Sequence, residues 1–440
     1  MFKNKKMTWQ YPELILLLLL LLSRTLLFLD RVGTEIGWDT GAHLEMVSRY
    51  TWHDLSIGVR ENFYSYHPPL GFLLAHTIHL LGLNPLVSVQ LLSFIASLTA
   101  FFFLRATLKQ LHLLLEPIAI AFLYIASSIP LQIYLATSVN LDVLILGLAS
   151  IVLYCSIRIF WKHQKNWELH LGLLTALAVA LLTKFSGWTL LSIPVLCAIM
   201  KPRGLLDEGL SILHHLCHPL RTAILTLLSV TLLTFPYYNH RYYANVGTFF
   251  PSNTDTWIGP HQKERDKAPL TFIKNILFAP EAHAEGTPLE KFSFDGLRLF
   301  DVWNSFWARS TNFAEQSETS RMVSEFYRTF TPFLIIMGLA MTLYTVRRRS
   351  PLWNRLGIVI LSFTLIQLLA LLWYIYQNPY GDWIPAKAAY IASATMGIGF
   401  LLAYPSSPFT SFTPKRTSLQ IALLAIVAVF IIVNHSIPVY

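Results

Sequence analysis

From Glu13 to Asp30 the chain reads "ELILLLLLLLSRTLLFLD", an apolar run interrupted only by Ser-Arg-Thr. About 20 such residues in a helix cross the roughly 30 Å hydrocarbon layer of a bilayer, and a small soluble fold has no interior to hold them. Several later windows have the same character, and 54% of the 440 residues are hydrophobic against 13% charged. Those proportions exclude a soluble protein of this size. They predict an all-α polytopic membrane protein, because only helices and closed barrels satisfy their backbone groups in lipid. The first run leads into an acidic, aromatic loop rather than a small-residue cleavage site, so it reads as a retained span and not a signal peptide.

A template of about 20 residues per crossing places spans at 12–30, 85–104, 113–130, 141–160, 169–183, 186–200, 221–236, 329–346, 356–376, 387–404 and 418–437. That is roughly 11 transmembrane helices. Basic residues set the orientation. Lys3, Lys5 and Lys6 precede the first span; later turns carry Arg105 with Lys109, Arg158 with Lys162 and Lys165, Lys201 with Arg203 and Arg221, Arg347 to Arg349 with Arg355, and Lys415 with Arg416. With the amino terminus in the cytoplasm, every cluster falls inside. The net charge of +9 therefore reads as an orientation signal, and a nucleic-acid partner is not expected. Cys155, Cys197 and Cys217 lie in or beside spans and offer no disulfide framework or CxxC metal site.

The segment "PPLGFLLAHTIHLLG", Pro68 to Gly82, is also apolar, but a crossing there would move Arg105 and Lys109 outside and invert all later parity. It is read as a juxtamembrane helix on the outer surface, its start fixed by the prolines. The region 169–200 reads either as two short crossings broken at "TKFSG" or as one re-entrant hairpin. The chain then divides into an amino-terminal transmembrane module (1–236) with a first outer loop (31–84), a large periplasmic loop (237–328) and a carboxy-terminal transmembrane module (329–440).

Titratable residues gather in the outer loops. The first opens with "EIGWDTGAHLEMVSRY", in which Glu35, Asp39 and His43 recur at four-residue spacing and share one face of any helix there. It closes with "YSYHPPL", bringing Tyr64, Tyr66 and His67 to the start of the surface helix. Asp142 opens the fourth span, either as a functional carboxylate or as a helix cap. Lys184 lies in an apolar stretch, where a cation either faces a polar cavity or an anion, or snorkels to the interface. Arg241 and Lys387, with His240 behind them, are the other outer cations, or else solvated rim charges. Asp39, His43, Glu35 and His67 also make up a candidate divalent-metal set, although no HExxH accompanies it. In the large loop, Trp303 and Trp307 suit either sugar stacking or a small core of the loop itself.

This layout resembles the C-type (GT-C) membrane glycosyltransferases. That superfamily includes the protein O-mannosyltransferases, the lipid A aminoarabinose transferases and bacterial relatives in glycosyltransferase families 39 and 83. There, an Asp opens the first outer loop and a "Y…PPL" element closes it. Four further segments follow in the family's order: "NLDVLILGLASIVLYCSIR" (140–158), "GLLTALAVALLTKFSGWTLLSIP" (172–194), "FPYYNHRYYANVGTFFP" (235–251) and "GDWIPAKAAYIASATMGIG" (381–399). The sequence departs from the pattern at Thr40, where Glu often follows the Asp, and at Lys387, which stands in place of an Arg-Tyr pair.

The resemblance implies a glycosyltransferase of the bacterial inner membrane with a periplasmic active site. Its donor would be a polyprenyl-phosphate sugar and its acceptor a lipid, glycan or protein. Asp39 would be the general base of a metal-independent, inverting transfer, with no cofactor. Asp142 would be the second, acceptor-orienting carboxylate. Lys184, His67, Arg241 and Lys387 would hold the donor phosphate, supported by His43, Tyr64, Tyr66 and Glu35. A transporter or lipid-linked-sugar flippase is the rival from another class; it is disfavoured by the absence of paired halves and by titratable residues gathered in loops rather than mid-span.

Overall fold

The structure is a computed structural model that describes residues 10–36, 40–54, 58–59, 61, 65–114, 116–164, 166–202, 212–251, 306–307, 318–345, 351–377, 388–404 and 416–436. Among the described residues every regular element is helical. In chain order these are α1 (Gln10–Arg31), α2 (Thr40–Arg49), α3 (Leu70–His79), α4 (Pro85–Gln110), α5 (Pro117–Ser127), α6 (Pro130–Thr137) and α7 (Asp142–Ser156). There follow α8 (Trp167–Thr183), α9 (Ser192–Ile199), α10 (Ile212–Tyr238), α11 (Glu318–Thr345), α12 (Pro351–Gln377), α13 (Thr395–Ala403) and α14 (Arg416–Ser436). π-helical turns extend α7 (Ile157–Trp161) and α10 (Asn239–Tyr243), and 3-10 helices lead into α9 (Phe185–Leu191) and α13 (Ala388–Ala394).

Among the described residues, each expected span overlaps one or more helical segments. Five described helices are long and apolar enough to cross a bilayer, six if the bent pair α5–α6 is one span; the others are shorter. Large apolar side chains point outward from α1 (Leu18, Leu22, Leu29), α10 (Leu228, Leu232, Leu233) and α11 (Phe333, Ile336). Such a belt is untenable in water and is what a lipid-facing surface requires. The protein is an integral membrane protein.

Prolines place several helix starts. Pro85, Pro117 and Pro130 each sit in a first turn, where the missing N–H leaves no bond unmade. Asn84 caps α4 by accepting from the Val87 N–H at 2.7 Å. Pro130 also corrects the expected span at 113–130. Instead of one straight helix, α5 stops at Ser127 and α6 leaves at 49° and runs on to Thr137. The break frees two buried carbonyls. Arg24, wholly buried in α1, donates to Ser127 O and, at 2.6 Å, to Ser97 Oγ, while Asn434 of α14 donates to Ser128 O at 2.9 Å. The one arginine in the leucine run thus satisfies a helix break that lipid could not.

Two further boundaries move. The large loop is shorter than 237–328, because α10 continues through its π turn to Val246 and α11 starts at Glu318 rather than 329. The choice over 169–200 resolves toward two passes. Lys184 meets Asp142 at the start of α7, and Cys197 O accepts from Trp161 Nε1 at α7's far end, 2.8 Å away. The chain therefore rises the height of α7 along α8 and descends through 185–199.

α3 has ten residues, about 15 Å of helix and too short to cross. Together with α2 it forms a cap over one end of the bundle. Met46 and Val47 of α2, Tyr50 just past its end, and Phe72 and Ala75 of α3 are fully buried, in the same apolar cluster as Tyr134 and Leu135 of α6. His76 fixes the pair, its Nδ1 lying 3.0 Å from Val47 O. Phe306 and Trp307 join this cluster, and Trp307 packs against Tyr327 of α11 with ring centroids 5.4 Å apart. Trp307 thus belongs to a core, but one shared with the cap and bundle rather than a small core of the loop itself; Trp303 lies outside the described residues.

Candidate active site

Where the capping helices meet the bundle, polar backbone and buried charge replace the leucines. Gln90 of α4 donates to Thr34 O at 2.9 Å, Arg31 O at 3.2 Å and Thr137 O at 3.2 Å, and accepts from the Gly33 N–H at 2.8 Å. Val139 N–H donates to Ile36 O at 2.8 Å, joining the first loop to the turn before α7. One amide side chain and one backbone bond thus tie the end of α1 to the segment carrying Asn140 and Asp142. Asp39, the expected base, lies outside the described residues, as do Tyr64 and Lys387. Its described neighbours are Ile36, held by that bond, and Thr40, buried at the start of α2.

Asp142 is the first residue of α7, directly after the N-cap Leu141. Its backbone N–H donates to Asn140 Oδ1 at 2.6 Å. Asn140 thus caps this N–H, and the Asp142 carboxylate has a charged partner from another helix. That partner is Lys184, whose Nζ lies 2.6 Å from Asp142 Oδ1 with both side chains buried. The sequence reading gave these residues separate roles; the structure places them in direct contact. Lys184 does not snorkel. It ends α8 in an extended conformation (φ −158°, ψ 150°), and Gly187 N–H bonds its carbonyl at 2.9 Å as the chain doubles back. A Cβ at Gly187 would come within 2.3 Å of Ala180 O, so only glycine allows the turn that aims Lys184 inward.

His67 and Tyr66 reach the same place from the first loop. Both are buried, with ring centroids 4.0 Å apart, and both pack against Phe185, the residue after Lys184. Gly71 permits the approach, since a Cβ there would lie 2.9 Å from Leu141 Cδ1 and from Thr183 Cγ2. Burial, with the charges of Lys184 and His43 beside it, holds the His67 imidazole well below the ordinary histidine range. His43 is buried against Phe72, and Glu35 is exposed.

Arg241 arrives from α10, turned inward by the π segment. Its Nη2 donates to Tyr50 Oη at 2.6 Å and to Ser65 O at 2.9 Å, and its guanidinium lies 5.8 Å from the Tyr50 ring centre. It is a buried latch between cap and bundle rather than a rim charge. Burial pushes the Tyr50 phenol above its usual range, and the Arg241 charge partly offsets this. His240 is exposed.

Three features escaped the sequence reading: the Tyr50–Arg241–Ser65 latch, the Gln90 clasp, and an aromatic wall of Phe185, Trp188, Tyr238 and Phe250. Only the wall had a signal, the aromatic density of 235–250. Among the described residues no group of three His, Cys, Asp or Glu side chains is placed to hold a metal ion. The site that emerges is a buried ammonium–carboxylate pair beside an imidazole held toward its neutral form, walled by aromatics and roofed by the first loop. Such a place suits an anionic headgroup and a hydroxylated ring.

Residues 66–232 match the family model described as dolichyl-phosphate-mannose-protein mannosyltransferase. Among solved structures, the chain is similar to ArnT from Cupriavidus metallidurans bound to undecaprenyl phosphate. That match has 15% identity and a TM-score of 0.46, and it covers 94% of this chain and 63% of that one. The apo state of the same ArnT gives 14% identity and a TM-score of 0.39, covering 94% and 77%. The chain thus spans 63% of the length of the first of these structures. No curated protein matches. The family match contains Tyr66, His67, Asp142 and Lys184, and over residues 66–232 the resemblance to the C-type membrane glycosyltransferases is borne out.

Proposed function

We propose that this protein is a membrane glycosyltransferase that moves a sugar from a polyprenyl-phosphate donor to an acceptor hydroxyl. The site would open at the periplasmic face of a bacterial inner membrane, with the amino terminus in the cytoplasm. The observation that carries the reading is the buried Asp142–Lys184 pair with His67, roofed by the first loop and lying within the segment that matches the mannosyltransferase family. The donor in that family's name is a sugar on a polyprenyl phosphate, and a lipid tail demands a site reachable from the bilayer.

In the proposed reaction Asp39 takes the proton of the acceptor hydroxyl as its oxygen attacks the anomeric carbon. The bond from that carbon to the phosphate oxygen breaks on the opposite face, the electron pair leaves with the lipid phosphate, and configuration inverts. Asp39 then returns its proton to water. Asp142 is the second carboxylate, which orients the acceptor hydroxyl once the donor phosphate has taken its place on Lys184. Lys184, Arg241 and Lys387 supply positive charge to the leaving phosphate, and an uncharged His67 donates a hydrogen bond to it without adding charge. Tyr66, Tyr64, His43 and Glu35 support the loop. No metal is required.

A lipid-linked-sugar flippase is the second reading, favoured by the helix interruptions at 128–129, 184–191 and 388–394. The test is sugar transfer by purified wild type and Asp39→Asn in lipid nanodiscs, over a panel of polyprenyl-phosphate sugars, with and without EDTA. The expected result is donor turnover that is indifferent to EDTA and falls about 10²- to 10⁴-fold in the variant. Full turnover by Asp39→Asn removes the mechanism. Loss of wild-type turnover in EDTA moves the proposal to a metal at Asp39 and His43. Translocation without transfer supports the flippase.

A further inference from the structure

Lys184 is buried beside Phe185 and His67, and a buried ammonium is costly without an anionic partner. Asp142 is that partner, at 2.6 Å. The carboxylate is itself well placed to stay ionised, because it sits in the first turn of α7, where the helix dipole favours negative charge. The pair is neutral as a unit. An anion approaching Lys184 meets attraction and repulsion from nearly the same point, and at equal distances the two cancel.

The chemistry of the proposed reaction gives this neutrality a use. The donor is a phosphodiester with one negative charge. The lipid product is a phosphomonoester, whose second ionisation near pH 6 takes it to between about −1.5 and −2. A bare buried lysine would hold the product more tightly than the donor and stall the enzyme. We infer that Asp142 is a resident counter-ion that the lipid phosphate displaces from Lys184 on arrival and that recaptures Lys184 as the phosphomonoester leaves. Asp142 thereby weakens phosphate binding and positions Lys184; it is not a ligand of the phosphate. This inference rests on the glycosyltransferase reading, in which a lipid phosphate comes to Lys184.

The experiment measures binding of polyprenyl monophosphate to wild type, Asp142→Asn, Lys184→Gln and the double variant, each in nanodiscs. Product inhibition by the same lipid is followed wherever turnover is measurable. Removing the carboxylate charge is expected to tighten binding about tenfold in Asp142→Asn, and to tighten it in the double variant relative to Lys184→Gln. Lys184→Gln alone is expected to bind more weakly than wild type. If Asp142→Asn does not fold, the double variant, which leaves no unpaired charge, decides the matter against Lys184→Gln. Equal or weaker binding after removal of the carboxylate, in whichever comparison is measured, overturns the inference. A wild type that does not bind polyprenyl monophosphate at all overturns instead the glycosyltransferase reading on which it rests.

Discussion

The two ends of the helix bundle use charge in opposite ways. At one end, Arg105 grips Glu13 with two bonds of 2.8 and 2.9 Å, Tyr124 Oη lies 3.1 Å from Glu13 Oε1, and Arg355 donates to Met200 O and Lys201 O at 3.0 and 2.6 Å. These cations bind to helix ends or across neighbouring helices, stay partly exposed, and staple α1 to α4 and α12 to the end of α9. At the other end, Lys184, Asp142, His67 and Arg241 are all buried. Around them the helices stop or change type: α8 ends at Lys184, α10 turns π-helical at Asn239, and a 3-10 helix precedes α13. Regular helix satisfies its own backbone, and from it Arg24 and Arg105 reach across to neighbouring helices. At the second end the interruptions turn the chain itself, as at Lys184 and Gly187, and bury its charges, Arg241 as a latch and Lys184 against Asp142, the pair that the proposed function assigns to a ligand.

The largest effect that can test this contrast is breaking the buried pair. Lys184→Met leaves Asp142 ionised among apolar groups and is expected to cost about 3–5 kcal/mol of stability. The double change with Asp142→Leu is expected to return most of it, since a well-packed apolar pair often matches a buried ion pair in stability. Denaturant melts followed by far-ultraviolet circular dichroism in detergent give both values. A double variant as stable as wild type yet unable to transfer sugar would show a pair kept for function; one as damaged as Lys184→Met would make the pair structural.

The helices of this fold were legible because lipid imposes one rule, and the leucine runs announce it. The surface reading of α3 rests on charge parity together with a short, proline-led segment that carries His76 and His79, and ten helical residues are too few to cross. The break at Pro130 was missed because apolarity runs straight through "IASSIPLQIYL" and hydropathy does not register a bend. The candidate site was half legible. Asp142 and Lys184 stood out as expensive residues, but their pairing was hidden because 42 positions separate them and no local period links residues on neighbouring helices. The Arg241 latch was hidden for a similar reason. Its partners, a Tyr at the end of α2 and a backbone carbonyl, carry no charge to mark them. Whether Asp39 completes the site rests on the resemblance and on the Asp39→Asn test.

A smaller effect separates His67 from the stapled end through pH. Its folded pKa lies below the unfolded value near 6.5, so between those two values the unfolded chain binds more protons. Stability contributed by neutral His67 is therefore present above about pH 6.5 and declines as pH falls toward the folded pKa, by at most about 1.4 kcal/mol per pH unit. Lys184, itself paired with Asp142, and His43 lie beside the ring and oppose its protonation. His67→Gln is expected to flatten the stability profile between pH 7 and 5. An unchanged slope would place the acid sensitivity elsewhere.

The smallest effect belongs to the stapled end. Glu13→Gln keeps the shape of the side chain and one acceptor for Arg105, and it removes the charge from a pair whose arginine is 28% exposed and whose glutamate is 11% exposed. Partial solvation lets water take over part of the arginine's hydrogen bonding, so the expected loss is about 1 kcal/mol. Because Glu13 and Lys184 sit at opposite ends of the bundle and share no partner, the change is also expected to add to the Lys184→Met cost rather than couple with it. Sugar transfer per folded molecule should be unaltered, since the described contacts of α1 near the site are made at its Arg31 end, a full helix length from Glu13. A fall in turnover without a fall in stability would mean that the two ends communicate along α1, and the division of labour between them would then have to be abandoned.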